Sequence, residues 1–264
     1  MIFENKTIWI TGASSGIGEA CAYLLAKEKA NLILTALEAD KLAEVQKKCI
    51  TLGGECAILP YDLSDIEGIP DLVEEALGFF GRVDIMYNNA GISQRAKAGD
   101  TLFEVDKKIM DVNFFAPVRI TKLLLPQMIE NGGGTFVTTT SISGRFGFPL
   151  RSAYCSSKHA LYGFFETIHA EYYNQNIRSV MICPGRVKTN ISFYALEQNG
   201  KQHGKMDAGQ AGGITVEKAA RKIVKAIRKQ KSETLVGSKE LLMVYFKRFI
   251  PALNRKLARN IKAE

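Results

Sequence analysis

Seven short runs of apolar, mostly β-branched or aromatic residues punctuate the chain, at residues 7–10, 31–35, 55–59, 85–87, 135–139, 178–182 and 234–236. Runs this short and this continuously apolar suit strands buried on both faces. Between them, residues 18–29, 41–52 and 71–80 repeat apolar side chains with a helical period. Strand and helix therefore alternate along the chain. Parallel neighbours must be joined by crossovers, and the crossovers cover both faces of a sheet. The pattern predicts an α/β fold: a doubly wound, mostly parallel, seven-stranded sheet with helices on both faces, of Rossmann type. No Pro/Gly/Ser-rich linker and no internal repeat interrupts it, so residues 1–264 are expected to form a single dinucleotide-binding and catalytic domain.

Two stretches break the rhythm. Residues 190–213 carry Gly200, Gly204, Gly209, Gly212 and Gly213 among polar spacers, which predicts a substrate lid with at most a short helix. Beyond the last strand, residues 239–264 form a basic amphipathic tail. There Leu242, Phe246, Phe249, Leu253 and Leu257 recur at helical spacing among Lys247, Arg248, Arg255, Lys256, Arg259 and Lys262, and Pro251 is expected to break the helix in two. Three roles for the tail stay open: covering the substrate crevice, packing in an oligomer, or peripheral contact with an anionic membrane.

The net charge of +8 changes meaning once it is divided. Residues 214–264 hold 14 Lys+Arg against 4 Glu, whereas residues 1–213 hold 21 against 23. The basicity belongs to the tail, and its aromatics do not interleave with a basic groove, so no nucleic-acid partner is expected. Five cysteines without a CxxC pair and only three histidines provide no metal-ligand spacing. They read as reduced packing thiols, with no metal site. The first apolar run leads straight into a glycine loop, and the run at 241–246 stops far short of the ~20 residues of a spanning helix. A cytoplasmic protein is the expectation.

That glycine loop is Thr11-Gly12-Ala13-Ser14-Ser15-Gly16-Ile17-Gly18, set between a strand and a helix, where free N–H groups and a helix dipole can meet a phosphate. Gly12 permits the tight turn, Gly16 lets backbone approach a pyrophosphate, and Gly18 allows close helix packing. The Gly-x-x-x-Gly-x-Gly spacing resembles the short-chain dehydrogenase/reductase family. The resemblance extends to Asp62 after the third strand, Asn88-Asn89-Ala90-Gly91 after the fourth, Asn113 in a helix, and Pro184-Gly185 with Thr189 after the sixth. It implies cofactor contacts from Gly12, Ser14, Ser15, Gly16, Ile17, Gly18, Thr35, Asp62, Leu63, Asn89, Ala90, Gly91, Tyr154, Lys158, Pro184, Gly185, Val187 and Thr189. It also implies a homodimer or homotetramer built on helices near 114–130 and 152–173.

Tyr154 and Lys158 are four apart in a helical stretch, so both project from one face. Reduction of a ketone by hydride requires a proton for the developing alkoxide, and a free tyrosine with a pKa near ~10 is a reluctant base for the reverse reaction. A nearby lysine ammonium is expected to lower that pKa. Ser141, at the carboxyl end of the fifth strand, can orient the substrate oxygen beside the phenol, with Ser143 its nearest competitor. By resemblance, Lys158 also binds the nicotinamide ribose and Asn113 positions a water that links Lys158 to solvent. Asn113, Ser141, Tyr154 and Lys158 thus form the expected catalytic set. His159 points about 100° away from Lys158 and reads as a surface or packing residue.

The second strand runs into Ala36, Leu37 and Glu38, where relatives usually carry a ribose-binding carboxylate for NAD or a basic residue for NADP. The hydroxyls of Ser14, Ser15 and Thr35 can meet a phosphate, and Glu38 can instead reach the ribose. The resemblance tilts the expectation to NADP(H) over NAD(H). Phe146, Phe148, Leu150, Ile191, Phe193 and Tyr194 suggest an apolar crevice with few fixed charges, suited to a small apolar alcohol or carbonyl substrate. The function expected is hydride transfer between that substrate and a nicotinamide cofactor. Against it stand a non-catalytic redox sensor or membrane-docked scaffold, which the intact catalytic set disfavours, and a dehydratase or epimerase, which the single-domain length disfavours.

Overall fold

The computed structural model describes residues 2–261. The sheet is built from β1 (Thr7–Thr11), β2 (Asn31–Thr35), β3 (Glu55–Ile58), β4 (Ile85–Asn88), β5 (Gly134–Thr139), β6 (Ile177–Pro184) and β7 (Glu233–Val236). Its order is β3-β2-β1-β4-β5-β6-β7, and every neighbouring pair is parallel rather than most of them. The crossovers carry α1 (Gly16–Ala26), α2 (Ala39–Thr51), α3 (Ile69–Phe80), α4 (Phe103–Met110), α5 (Ala116–Glu130), α6 (Ser152–Glu171), the short α7 (Ala208–Ala211) and α8 (Val216–Arg228). After β7 come α9 (Leu242–Phe249) and α10 (Pro251–Ala258).

Strand side chains alternate between faces, and β1 shows what that does to the core. Ile8 and Ile10 pack with Leu25 of α1, Leu42 of α2 and Ile223 of α8 on one face. Trp9, between them, packs with Leu72 of α3, Ile120 of α5 and Phe165 of α6 on the other. Trp9 is fully buried, and its indole N–H donates to the Thr35 hydroxyl at 2.9 Å. Each face is thus a separate apolar layer, and polar function is left to the strand ends.

Strand order reverses direction between β1 and β4, because β2 lies on one side of β1 and the next strand in sequence on the other. Loops leaving the carboxyl ends of these two strands diverge there and open a crevice. Pro251 does break the tail helix: Ile250 between α9 and α10 leaves helical geometry, with φ −136° and ψ 64°. Lys262 lies outside the described residues.

Candidate active site

The glycine loop turns between the end of β1 and the start of α1 by means of two left-handed glycines, Gly12 (φ +64°) and Gly16 (φ +60°). A Cβ on Gly12 would stand 2.8 Å from the Ala90 Cα, and one on Gly18 only 2.2 Å from the Gly12 carbonyl oxygen. The loop is sewn to the end of β4. Asn89 Nδ2 donates to the carbonyls of Thr11 and Gly12, both at 3.1 Å, while Thr11 Oγ1 accepts from the amides of Asn89 and Ala90. No side chain caps the N-terminus of α1, so its first N–H groups remain free for an anion.

Gly12, Ser14, Ser15, Gly16, Asn89, Ala90 and Gly91 line a cavity of about 180 Å³. It shares Ile17, Thr139, Thr189 and Ile191 with a second cavity of about 590 Å³, which Ser141, Tyr154, Pro184, Gly185 and Val187 also line. The two are one trough running from the glycine loop to Tyr154. A floor of backbone with no room for Cβ atoms fits a dinucleotide pyrophosphate.

Five expected cofactor contacts do not line the trough, among them Gly18 and Lys158, which sit behind its wall. Thr35 is fully buried, and its hydroxyl is taken by Trp9, so it cannot meet a cofactor phosphate. The Leu63 side chain packs in the core with Leu72 and Val73. Asp62 is exposed at the carboxyl edge of the sheet, and its Oδ1 accepts from Ser64 N and Oγ. Neither Asp62 nor Leu63 lines the trough.

At the far end, α6 presents Tyr154 and Lys158 on its buried face. The helix is aimed by Gln94, itself fully buried, whose side-chain oxygen accepts the Ala153 amide at 2.9 Å. Ser141 stands just beyond β5 and caps a short 3₁₀ turn, its Oγ accepting from Ser143 N at 3.1 Å. Asn113 sits in the middle of a π-helical segment, Asp111–Phe115, between α4 and α5. Such single-turn π segments re-aim side chains and cluster at functional sites. Asn113 Nδ2 donates to Ile92 O at 2.9 Å and Ser157 Oγ at 3.0 Å, and its Oδ1 accepts from Ile92 N at 2.8 Å. The expected helix is there; its π geometry carries no signature in side-chain periodicity. His159 is exposed, with Nδ1 against the Cys155 carbonyl at 2.8 Å, away from the trough.

Burial holds the Tyr154 phenol above its ordinary pKa, and a hydrogen bond with Ser141 and the charges of Arg151 and Arg95 work against that rise. The guanidiniums of Arg151 and Arg95 are charges near the phenol that the Tyr154–Lys158 spacing did not indicate. Lys158 Nζ instead donates to the Thr139 carbonyl at 2.8 Å and lies 5.9 Å from the Tyr154 ring centre.

Burial also lowers the Lys158 pKa from 10.5 to about 8. Between about 8 and the unfolded value near 10.5, the unfolded chain binds more protons than the folded one, so stability rises with pH. Below that window the full cost of a buried ammonium is present. Wild type is therefore expected to gain roughly 3 kcal/mol relative to Lys158→Met as the pH is raised through the window. Paired urea titrations at neutral and alkaline pH measure the difference; parallel pH dependences would refute the depressed lysine.

The substrate end differs from expectation. Phe148 and Ile191 line the larger cavity, but Phe146, Leu150, Phe193 and Tyr194 do not. Phe146 is buried against Ile142 and Cys183, while Phe193 and Tyr194 meet edge to face at the surface, Tyr194 beside the glycine-loop end. The tail supplies apolar wall in their place, through Met243, Leu257 and Ile261. Nor is the crevice poor in charge. Asp207, from the 190–213 segment, accepts from Arg95 Nε at 3.2 Å and Arg95 Nη2 at 2.5 Å, and Arg151 Nη2 reaches the same carboxylate at 3.0 Å. All three line the cavity. Sequence spacing could not have flagged them, since Arg95 and Asp207 are 112 residues apart. The same segment is tied down by backbone bonds from Leu196 N to Ser93 O and from Arg95 N to Leu196 O.

A trough of this form, floored by glycine backbone at the carboxyl edge of a doubly wound parallel sheet, is that of a Rossmann-type oxidoreductase. The chain belongs to the short chain dehydrogenase family, whose family model matches residues 6–200. It is 36% identical over 250 residues to a dehydrogenase/reductase SDR family protein 7-like of Drosophila melanogaster, covering 93% of this chain and 77% of that protein. It is 38% identical to dehydrogenase/reductase SDR family member 7B of Xenopus laevis over 257 residues, 95% of this chain and 80% of that protein. A short chain dehydrogenase/reductase from Burkholderia phymatum, solved in complex with NAD, shares the fold with a TM-score of 0.84 at 22% identity, covering 100% of this chain and 99% of that one.

Proposed function

We propose that this chain interconverts an alcohol and a carbonyl compound with a nicotinamide cofactor, Tyr154 transferring the proton. The observation that carries the reading is the burial of the Tyr154 phenol where the glycine-loop trough ends, with Ser141 lining the same cavity. Gly12, Gly16, Ser15, Asn89 and Ala90 would hold the pyrophosphate end, and Pro184, Gly185, Val187 and Thr189 the nicotinamide end. The bound nicotinamide supplies or takes the hydride. In the reducing direction Tyr154 Oη gives its proton to the carbonyl oxygen, and Ser141 Oγ donates a second hydrogen bond that fixes that oxygen. Lys158, tied to the Thr139 carbonyl behind the trough wall, would meet the ribose, and Asn113 braces the loop after β4 behind it. Phe148, Ile191, Met243, Leu257 and Ile261 receive the apolar body of the substrate. Exposed Phe115 and Leu123 support packing of a second copy along α5.

The cofactor choice turns from NADP(H) to NAD(H). With Thr35 sealed away, Ser14 Oγ donates to Glu38 Oε2 at 3.0 Å. Burial raises the Glu38 pKa, yet the bond from Ser14 and nearby Lys41 outweigh it and hold the carboxyl below its usual value. An ionised carboxylate beside the adenosine end accepts ribose hydroxyls and repels a 2′-phosphate. Titration of the purified protein with NADH and NADPH, followed by nicotinamide fluorescence, is expected to show tighter binding of NADH. Glu38→Ser should weaken NADH about 10-fold or more and narrow the gap to NADPH. Failure to bind either nucleotide, or to turn over any of a panel of apolar ketones, overturns the function.

A further inference from the structure

The tail is two-faced in a way its periodicity does not show. On its inner side, Leu241, Met243, Val244, Ala258 and Ile261 pack over Ile142, Phe146 and Cys183. Asn254, buried between the helices, ties them together by donating from Nδ2 to the Met243 carbonyl at 3.0 Å. On the outer side, Leu242, Tyr245, Phe249, Ile250, Leu253 and Leu257 stand in solvent. These are six of the eighteen large exposed apolar side chains among the described residues, all within residues 242–257, and Phe249 at their centre is 75% exposed. Isolated apolar residues on a surface need no explanation, but a contiguous patch of this size marks a surface that contacts something.

Charge says what that something is. Residues 242–261 contain Lys247, Arg248, Arg255, Lys256 and Arg259, all exposed, and no acidic residue. An exposed apolar ridge flanked by five cations fits a surface that is apolar beneath and anionic at its boundary. A second copy of this chain would set these five cations against their own like charges, which disfavours a symmetric dimer through this face. No helix among the described residues is long and apolar enough to cross a membrane, so the contact is with a surface.

We propose that the outer face of the α9–α10 pair is a docking surface for an anionic lipid bilayer. Phe249, Ile250 and Leu253 insert at the level of the headgroups, and Lys247, Arg248, Arg255, Lys256 and Arg259 pair with lipid phosphates. Leu257 belongs both to the exposed ridge and to the wall of the 590 Å³ cavity, so docking brings that wall to the lipid surface. The docking surface stands apart from the hydride-transfer reading, because none of its inserting residues lines the trough.

The test is sedimentation of the full chain with vesicles, without nucleotide. Wild type is expected to pellet with phosphatidylcholine vesicles containing about one-third phosphatidylglycerol, and to be released by added salt. It should stay in the supernatant with phosphatidylcholine alone. Phe249→Glu with Leu253→Glu, and separately Lys247→Gln with Arg248→Gln, should each weaken partition about 10-fold or more. Circular dichroism and thermal melting establish that these surface variants are folded. Absence of binding by wild type, or equal binding by folded variants, overturns the proposal. So does a concentration-dependent dimer abolished by Phe249→Glu in a protein that ignores vesicles, which would assign the ridge to a second copy.

Discussion

Tyr154→Phe is expected to lower turnover by about two to four orders of magnitude while leaving nicotinamide cofactor affinity within about twofold. The substitution removes one oxygen atom from a fully packed ring, so the trough keeps its shape. What disappears is the only phenol lining the larger cavity next to Ser141. In carbonyl reduction the developing alkoxide then has no positioned proton, and water must enter a site where Tyr154 is 8% exposed. Burial keeps the wild-type phenol protonated through neutral pH, so the reducing rate should hold there and fall only on the alkaline side. Steady-state kinetics with a ketone substrate, beside fluorescence titration of the cofactor, separate the two effects. Turnover retained in the phenylalanine variant would remove Tyr154 from the chemistry, and loss of cofactor binding would make its role structural.

Asp207→Ala should destabilise the fold by about 3–5 kcal/mol and free the 190–213 segment, because it removes the carboxylate that stands between two guanidiniums, one of them almost fully buried. Arg95 has 2% of its side chain exposed and Arg151 15%, so water cannot replace the lost partner fully. The segment is otherwise held by few apolar contacts, Ala195 and Leu196 being its buried apolar anchors. Removing the closest pair, as in Arg95→Met with Asp207→Leu, is expected to cost less than Asp207→Ala alone, since Arg95, the more deeply buried guanidinium, is then gone together with its carboxylate. Urea denaturation measures the stability, and trypsin cleavage at Lys201 or Lys205 reports on the segment. A single variant as stable and as resistant as wild type would show that the ion cluster does not hold the 190–213 segment.

The trough and the ion cluster differ in how far they can be read from the chain alone. Thr11 to Gly18, Asn88 to Gly91, Ser141, Tyr154 and Lys158 lie close to strand ends or on one helix face, so local spacing suffices to bring them to one crevice. Arg95, Arg151 and Asp207 come from three loops that meet only when the sheet is assembled, and no periodicity relates them. Thr35 shows the converse. Its position at the end of β2 suggested a phosphate contact, but the strand's alternation turns its side chain inward, where Trp9 claims the hydroxyl.

The sequence by itself determined the alternation of strand and helix, the parallel sheet that alternation requires, the glycine loop, and the strand-end and helix-face residues that gather at the trough. These follow from local rules: period, backbone freedom and the side chains a strand end presents. Tertiary structure decided which charges act on Tyr154, which residues wall the substrate cavity and which face of the tail stays in solvent. Those outcomes depend on distances between segments far apart in the chain, and electrostatic interaction and burial follow distance in space rather than along the sequence.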